Sequence, residues 1–151
     1  MAIGQSKLHA RLRRGRILFD SKAWVDTFTP KTKREILDLI REGQLRDQGI
    51  DGDGDFIGFY SFATQLITNG EKQEGDHYTL EDTGEFYRSM FIRVFADSFE
   101  IVANGQKDDD NLFDKYGEQI IALTDENLEK VAVMVRESYV NYVHRVLLGT
   151  R

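Results

Sequence analysis

Leu128, Val131, Val135, Tyr139, Tyr142 and Val146 recur every three or four residues near the C-terminus. That spacing puts one apolar stripe on a helix of about five turns. Thr124 precedes the stripe as an N-cap, and Asp125 and Glu126 fall in the first turn, where the helix dipole favours acids. A helix of this length needs a substantial apolar partner, and the rest of the chain has to supply it.

The upstream pattern supplies helices first and hairpins second. Thr29-Pro30 reads as a cap and first-turn proline, and Ile36, Leu37, Leu39 and Ile40 follow at helical spacing, so a helix is predicted from about Pro30 to Leu45. Ile17, Leu18, Trp24, Val25 and Phe28 predict an earlier amphipathic helix. Gln44–Ile50 and Phe56–Tyr60 read as short extended runs around the turn Asp51-Gly52-Asp53-Gly54-Asp55. Ser61 caps a short helix through Ile67, and Thr83 caps another turn in which Phe86 and Tyr87 point inward. Met90–Phe95 and Phe99–Ala103 form the stronger hairpin, Asn104–Asn111 reads as a loop, and Leu112–Tyr116 is a short helix stopped by Gly117. The expected fold class is α+β: N-terminal helices, a small antiparallel sheet from two hairpins, and a long C-terminal helix.

At 151 residues the chain fits one domain with a sizeable core, divided here into a basic arm at 1–17 and an assembly domain at 18–151. With no cysteine, disulfides, thiolate metal sites and cysteine nucleophiles are excluded. No stretch approaches the ~18 uninterrupted apolar residues of a membrane span, and Met1–Gly15 contains no secretion-like apolar run. The expectation is a non-membrane protein of the cytosol or of something assembled there.

Candidate chemistry is sparse. Asp51, Asp53 and Asp55 invite a calcium loop, and hence a calcium-dependent binding module. An EF-hand would need glycine at its sixth position and glutamate at its twelfth, where Phe56 and Phe62 stand, so a hairpin turn fits better. Asp108, Asp109 and Asp110 read as a solvated loop. His9, His77 and His144 have no ligand or base-to-nucleophile spacing, and Tyr139 and Tyr142 read as core packing. No Walker loop, dinucleotide fingerprint or nucleophile elbow occurs. The expectation is a protein that is not an enzyme and has no cofactor or resident metal.

Charge is the one unevenly distributed property. Lys7, Arg11, Arg13, Arg14 and Arg16 place +5 in the first 17 residues without an acid, leaving 15 bases against 26 acids, or −11, on the remainder. These cations are candidates for contact with nucleic-acid phosphates, for docking on the acidic body of a neighbouring subunit, or for a solvated face.

The order Thr83-Gly84-Glu85-Phe86-Tyr87-Arg88-Ser89, hairpin, Lys115-Tyr116-Gly117, and Leu123-Thr124-Asp125-Glu126 resembles the virion-morphogenesis and tail-completion proteins of tailed bacteriophages. Gly49-Ile50-Asp51 and Tyr60-Ser61 also look like the G-x-D…Y-S turn upstream in such proteins. The likeness spans about Gln44 to Leu148. The connector from Tyr116 to Thr124 lacks the family's usual proline-rich stretch, and the basic arm is not a family hallmark. The resemblance implies a structural protein without catalytic residues, a homo-oligomeric ring seated on a portal or adaptor protein, next to tail proteins and around the channel for packaged DNA. It places the protein in the virion, in the neck, connector or tail-completion layer. The alternative from the residues alone is a nucleic-acid-binding phage regulator using Lys7, Arg11, Arg13, Arg14 and Arg16.

Overall fold

Thr29 and Pro30 start a helix where the sequence places one. In the computed structural model, which describes residues 21–148, Thr29 is extended and its hydroxyl accepts the Thr32 N–H at 3.2 Å. Pro30 then sits in the first turn of α2 (Pro30–Asp38), just after α1 (Ser21–Thr27). Beyond Asp38 the helix continues with its hydrogen bonds lengthened to the i→i+5 pattern, a π-helix over Leu39–Gln48. Most π-helices are single-turn bulges, so a run of 10 residues needs a compensating interaction. The buried Gln44 supplies it: Nε2 donates to the Ala122 carbonyl at 2.8 Å, and Oε1 accepts from the Thr124 N–H and the Asn127 amide. Gln44–Gln48 is therefore helical, not extended as the sequence led us to expect. Gly49 ends the helix at φ 65°, and a Cβ there would lie 2.3 Å from the His77 ring.

The Asp51–Asp55 turn forms, but the strands beside it do not. Asp51 N–H donates to the Asp55 carbonyl at 3.0 Å, and the pairing shrinks to one bridge, Ile50 with Phe56; a second bridge joins Phe59 to His77. Gly52 N–H donates to Gln119 at 2.9 Å and ties the turn to the chain before the last helix. Ser61 caps α3 (Phe62–Ile67) by accepting from the Thr64 N–H.

α4 (Glu85–Ser89) begins one residue later than the capping pattern indicates. Gly84 holds the cap position in the left-handed region, while the Thr83 hydroxyl takes a long 3.4 Å contact from the Glu85 N–H. Phe86 and Tyr87 are buried as expected. The main hairpin pairs β1 (Phe91–Val94) with β2 (Phe99–Val102), with Ile92 opposite Ile101 and Val94 opposite Phe99 on the core face. Arg93 and Glu100 pair across its outer face at 3.4 Å. Asn104–Asn111 is not a plain loop: β3 (Gln106–Lys107) and β4 (Asp110–Asn111) make a second hairpin, turned by Asp108 at φ 48°. Aspartate tolerates that left-handed conformation better than most residues.

Asn111 caps α5 (Leu112–Tyr116), Gly117 stops it, and a 3₁₀ turn (Glu118–Ile121) leads to α6 (Asp125–Leu148). The Thr124 hydroxyl accepts the Asn127 N–H at 3.3 Å. Val131, Val135 and Tyr139 are buried, Leu128 packs against the core and Tyr142 is half-buried. The Val146 side chain lies outside the described ones. One apolar cluster joins all layers: α1 lies on α6, α2 touches both α6 and β1, and Trp24, Phe28, Ile40, Phe99, Ile120 and Val135 meet inside. Trp24 stacks edge-on against Phe28 at 5.0 Å and donates its indole N–H to the Phe95 carbonyl. The fold is thus α+β, with helices first, two hairpins and a long C-terminal helix.

Candidate interaction surfaces

Four stretches bound a cleft of about 470 Å³: Tyr60 with Thr64 of α3, Lys72 in the loop beyond it, residues 78–86, and the β3–β4 hairpin with α5. Aromatic rings run along it, Tyr78 lying edge-on to Tyr60 at 4.9 Å and to Tyr116 at 5.9 Å. These rings already receive cations, with Lys72 Nζ 5.5 Å from the Tyr60 centroid and Lys115 Nζ 5.4 Å from that of Tyr116. At the rim Asp82 accepts a hydrogen bond from Lys107 at 2.6 Å and forms a looser ion pair with Lys72 at 3.7 Å. The two ammonium groups, Lys107 foremost, hold the Asp82 carboxyl below its usual range.

Arg46 holds Glu81, a residue that lines one wall. Its guanidinium donates to both Glu81 oxygens, at 3.0 and 2.8 Å, pairs with Glu42, and lies 5.5 Å from the Tyr87 ring. The Glu81 hydrogen bonds raise the Arg46 pKa further. Below it the Tyr87 hydroxyl donates to the Thr79 carbonyl, and burial pushes that phenol well above its ordinary value. Glu81 is therefore fixed by an ion pair that rests on a neutral phenol. This two-oxygen geometry is the form of ion pair that carries most orientation.

The remaining polar candidates separate. Asp51 spends one carboxylate oxygen on the N–H groups of Asp53 and Asp55, at 2.9 and 3.1 Å, so it shapes its own turn. Among the described residues no group of three or more His, Asp or Glu is placed to hold a metal ion. His77 bonds the Arg46 carbonyl through Nε2 at 2.9 Å, His144 is exposed on α6, and His9 lies outside the described residues. Asp108, Asp109 and Asp110 do have a scaffold that the sequence did not reveal, the β3–β4 hairpin at the edge of the cleft. Lys7, Arg11, Arg13, Arg14 and Arg16 all lie outside the described residues.

A second surface is apolar. Phe56, Phe59, Phe62, Leu66 and Ile67 are all exposed, Ile67 by 81%, and the Phe56 and Phe59 rings touch at 5.2 Å. No residue of α3 is buried, so a helix that is half large apolar side chains turns them to the outside. The Ser61 cap signalled the helix but carried no information about which way it faces. Among the described residues no helix is long and apolar enough to cross a membrane. Compared with family models, curated proteins and solved structures, the chain matches none.

Proposed function

We propose that the protein is a structural, non-catalytic component of a tailed-phage virion, forming a ring of copies at the head–tail junction as a connector, neck or tail-completion protein. The observation that carries this reading is the set of exposed apolar side chains between Phe56 and Ile67 beside the buried core. Exposed large apolar side chains mark an interaction site, and among the described residues those of Phe56, Phe59, Phe62, Leu66 and Ile67 keep half or more of their surface open. The ordered motifs from Thr83 to Glu126, which resemble those of tail-completion proteins, supply the particular setting. A closed ring built from one repeated heterologous contact would use such a surface many times, against the next copy or against a portal, adaptor or tail protein.

Native mass measurement of the full-length protein, with cryo-electron microscopy of particles that contain it, tests the proposal. The expected result is a cyclic oligomer and a place in the virion neck. A chain that stays monomeric at high concentration and is missing from virions would sink it.

A further inference from the structure

We propose that the cleft between residues 78–86 and the β3–β4 hairpin receives the Lys7–Arg16 segment of a second copy of the chain. This rests on the assembly reading above and names one contact through which copies join.

The cleft has the chemistry of an arginine-binding surface. Six carboxylates line it, from Glu81, Asp82, Glu85, Asp108, Asp109 and Asp110, against three lysines, a net −3. Asp82 is occupied by Lys107 and Lys72, and Glu81 by Arg46. Glu85, Asp108 and Asp109 form no ion pair among the described residues. The rings of Tyr60, Tyr78 and Tyr116 add aromatic surface, and two of them already carry an ammonium group. Guanidinium groups stack on aromatic faces and bond carboxylates in the plane of the fork, so arginine exploits both parts at once. A nucleic-acid phosphate is the wrong occupant for a cleft of this sign.

The chain carries one segment of matching chemistry, five cations between Lys7 and Arg16 with no acid among them. Surface charges farther apart than about 10 Å are screened at ordinary salt, so this attraction acts only through direct docking. A second copy is the occupant because a ring needs two different patches on every subunit, a donor and an acceptor. The division of charge into +5 on residues 1–17 and −11 on the rest provides both.

The natural chain has no cysteine, which makes single-cysteine crosslinking unambiguous. Full-length Arg13→Cys protein is mixed with full-length Asp109→Cys protein, treated with nuclease, and exposed to a short bismaleimide. The expected product is an interchain link between positions 13 and 109. Its yield should fall by about tenfold when Glu85→Lys and Asp110→Lys reverse the cleft charge in the acceptor chain. Oligomers by native mass without this link overturn the cleft contact and leave the assembly reading standing. Monomers with no link overturn both. A link found solely within one chain of the doubly substituted protein, or one abolished by nuclease, assigns the segment to its own body or to nucleic acid and also overturns the proposal.

Discussion

Gln44 and Asn127, 83 positions apart, meet inside the protein, where the Asn127 amide donates to Gln44 Oε1 at 2.8 Å. The same oxygen accepts the Thr124 N–H, so one side chain of the π-helix fixes the start of α6. Gln44→Leu keeps the volume and strands the Thr124 N–H, the Asn127 amide and the Ala122 carbonyl together. The expected cost is about 3 kcal/mol, or roughly 10 °C in Tm for a chain of this size. Thermal unfolding followed by circular dichroism measures it, and a loss within experimental error would show that the network is dispensable.

Gly49 and Gly54 both adopt left-handed backbone, at φ 65° and 86°, but only Gly49 faces a neighbour. Gly54→Ala should pay backbone strain alone, about 1 kcal/mol. Gly49→Ala adds a collision with the His77 ring and should cost at least about 2 kcal/mol. Urea denaturation read by the fluorescence of Trp24, the sole tryptophan, separates the two. Adding His77→Ala should return part of the Gly49→Ala loss, and failure to do so would remove the collision as its cause.

Asp82 links acid stability to the cleft. Its folded-state pKa is depressed below 3.8 by Lys107 and then Lys72, so its contribution is fully present above that ordinary value and disappears as pH falls through the lower folded value. Asp82→Asn should therefore reduce stability at neutral pH, by at most about 1 kcal/mol for such exposed pairs. The gap to the unsubstituted protein should close in acid. Titration of the Asp82 carboxyl by NMR gives the direct reading, and a midpoint at or above 3.8 contradicts the pairing.

Leu66→Lys with Ile67→Lys alters a surface left exposed among the described residues. Monomer stability should move by less than about 0.5 kcal/mol, as for substitutions on an unengaged surface. Self-association should weaken at the same time. Sedimentation velocity across a concentration series measures this, and unchanged association with these charges in place would put the subunit contact elsewhere.

Local signals accounted for much of the fold. The Thr29–Pro30 start, the Ser61 cap, the alternating β1–β2 hairpin and the α6 stripe each depend on residues within a few positions of one another, and each forms. The π-helix was not readable, because the partners that hold Gln44 are at 122–127 and no local pattern announces them. The β3–β4 hairpin escaped for a different reason: its strands are two residues long, and its turn depends on Asp108 taking a conformation that composition does not specify. The cleft combines both difficulties. Its carboxylates looked like scattered loop acids until the hairpin carried Asp108–Asp110 to the edge facing Glu85.

The π-helix also makes chain length in Leu39–Gln48 as restrictive as residue identity. Its longer hydrogen-bond spacing stores extra residues compared with its α neighbour. A one-residue deletion between Leu39 and Gly43 that kept the helical spacing beyond it would rotate the following residues by roughly a quarter of a turn about the axis. Gln44 would turn away from the start of α6, and Leu45 would leave the core. Point changes at the exposed Asp47 or Gln48 have no such reach. A change of length in this stretch should therefore cost the protein more than a substitution at its exposed positions.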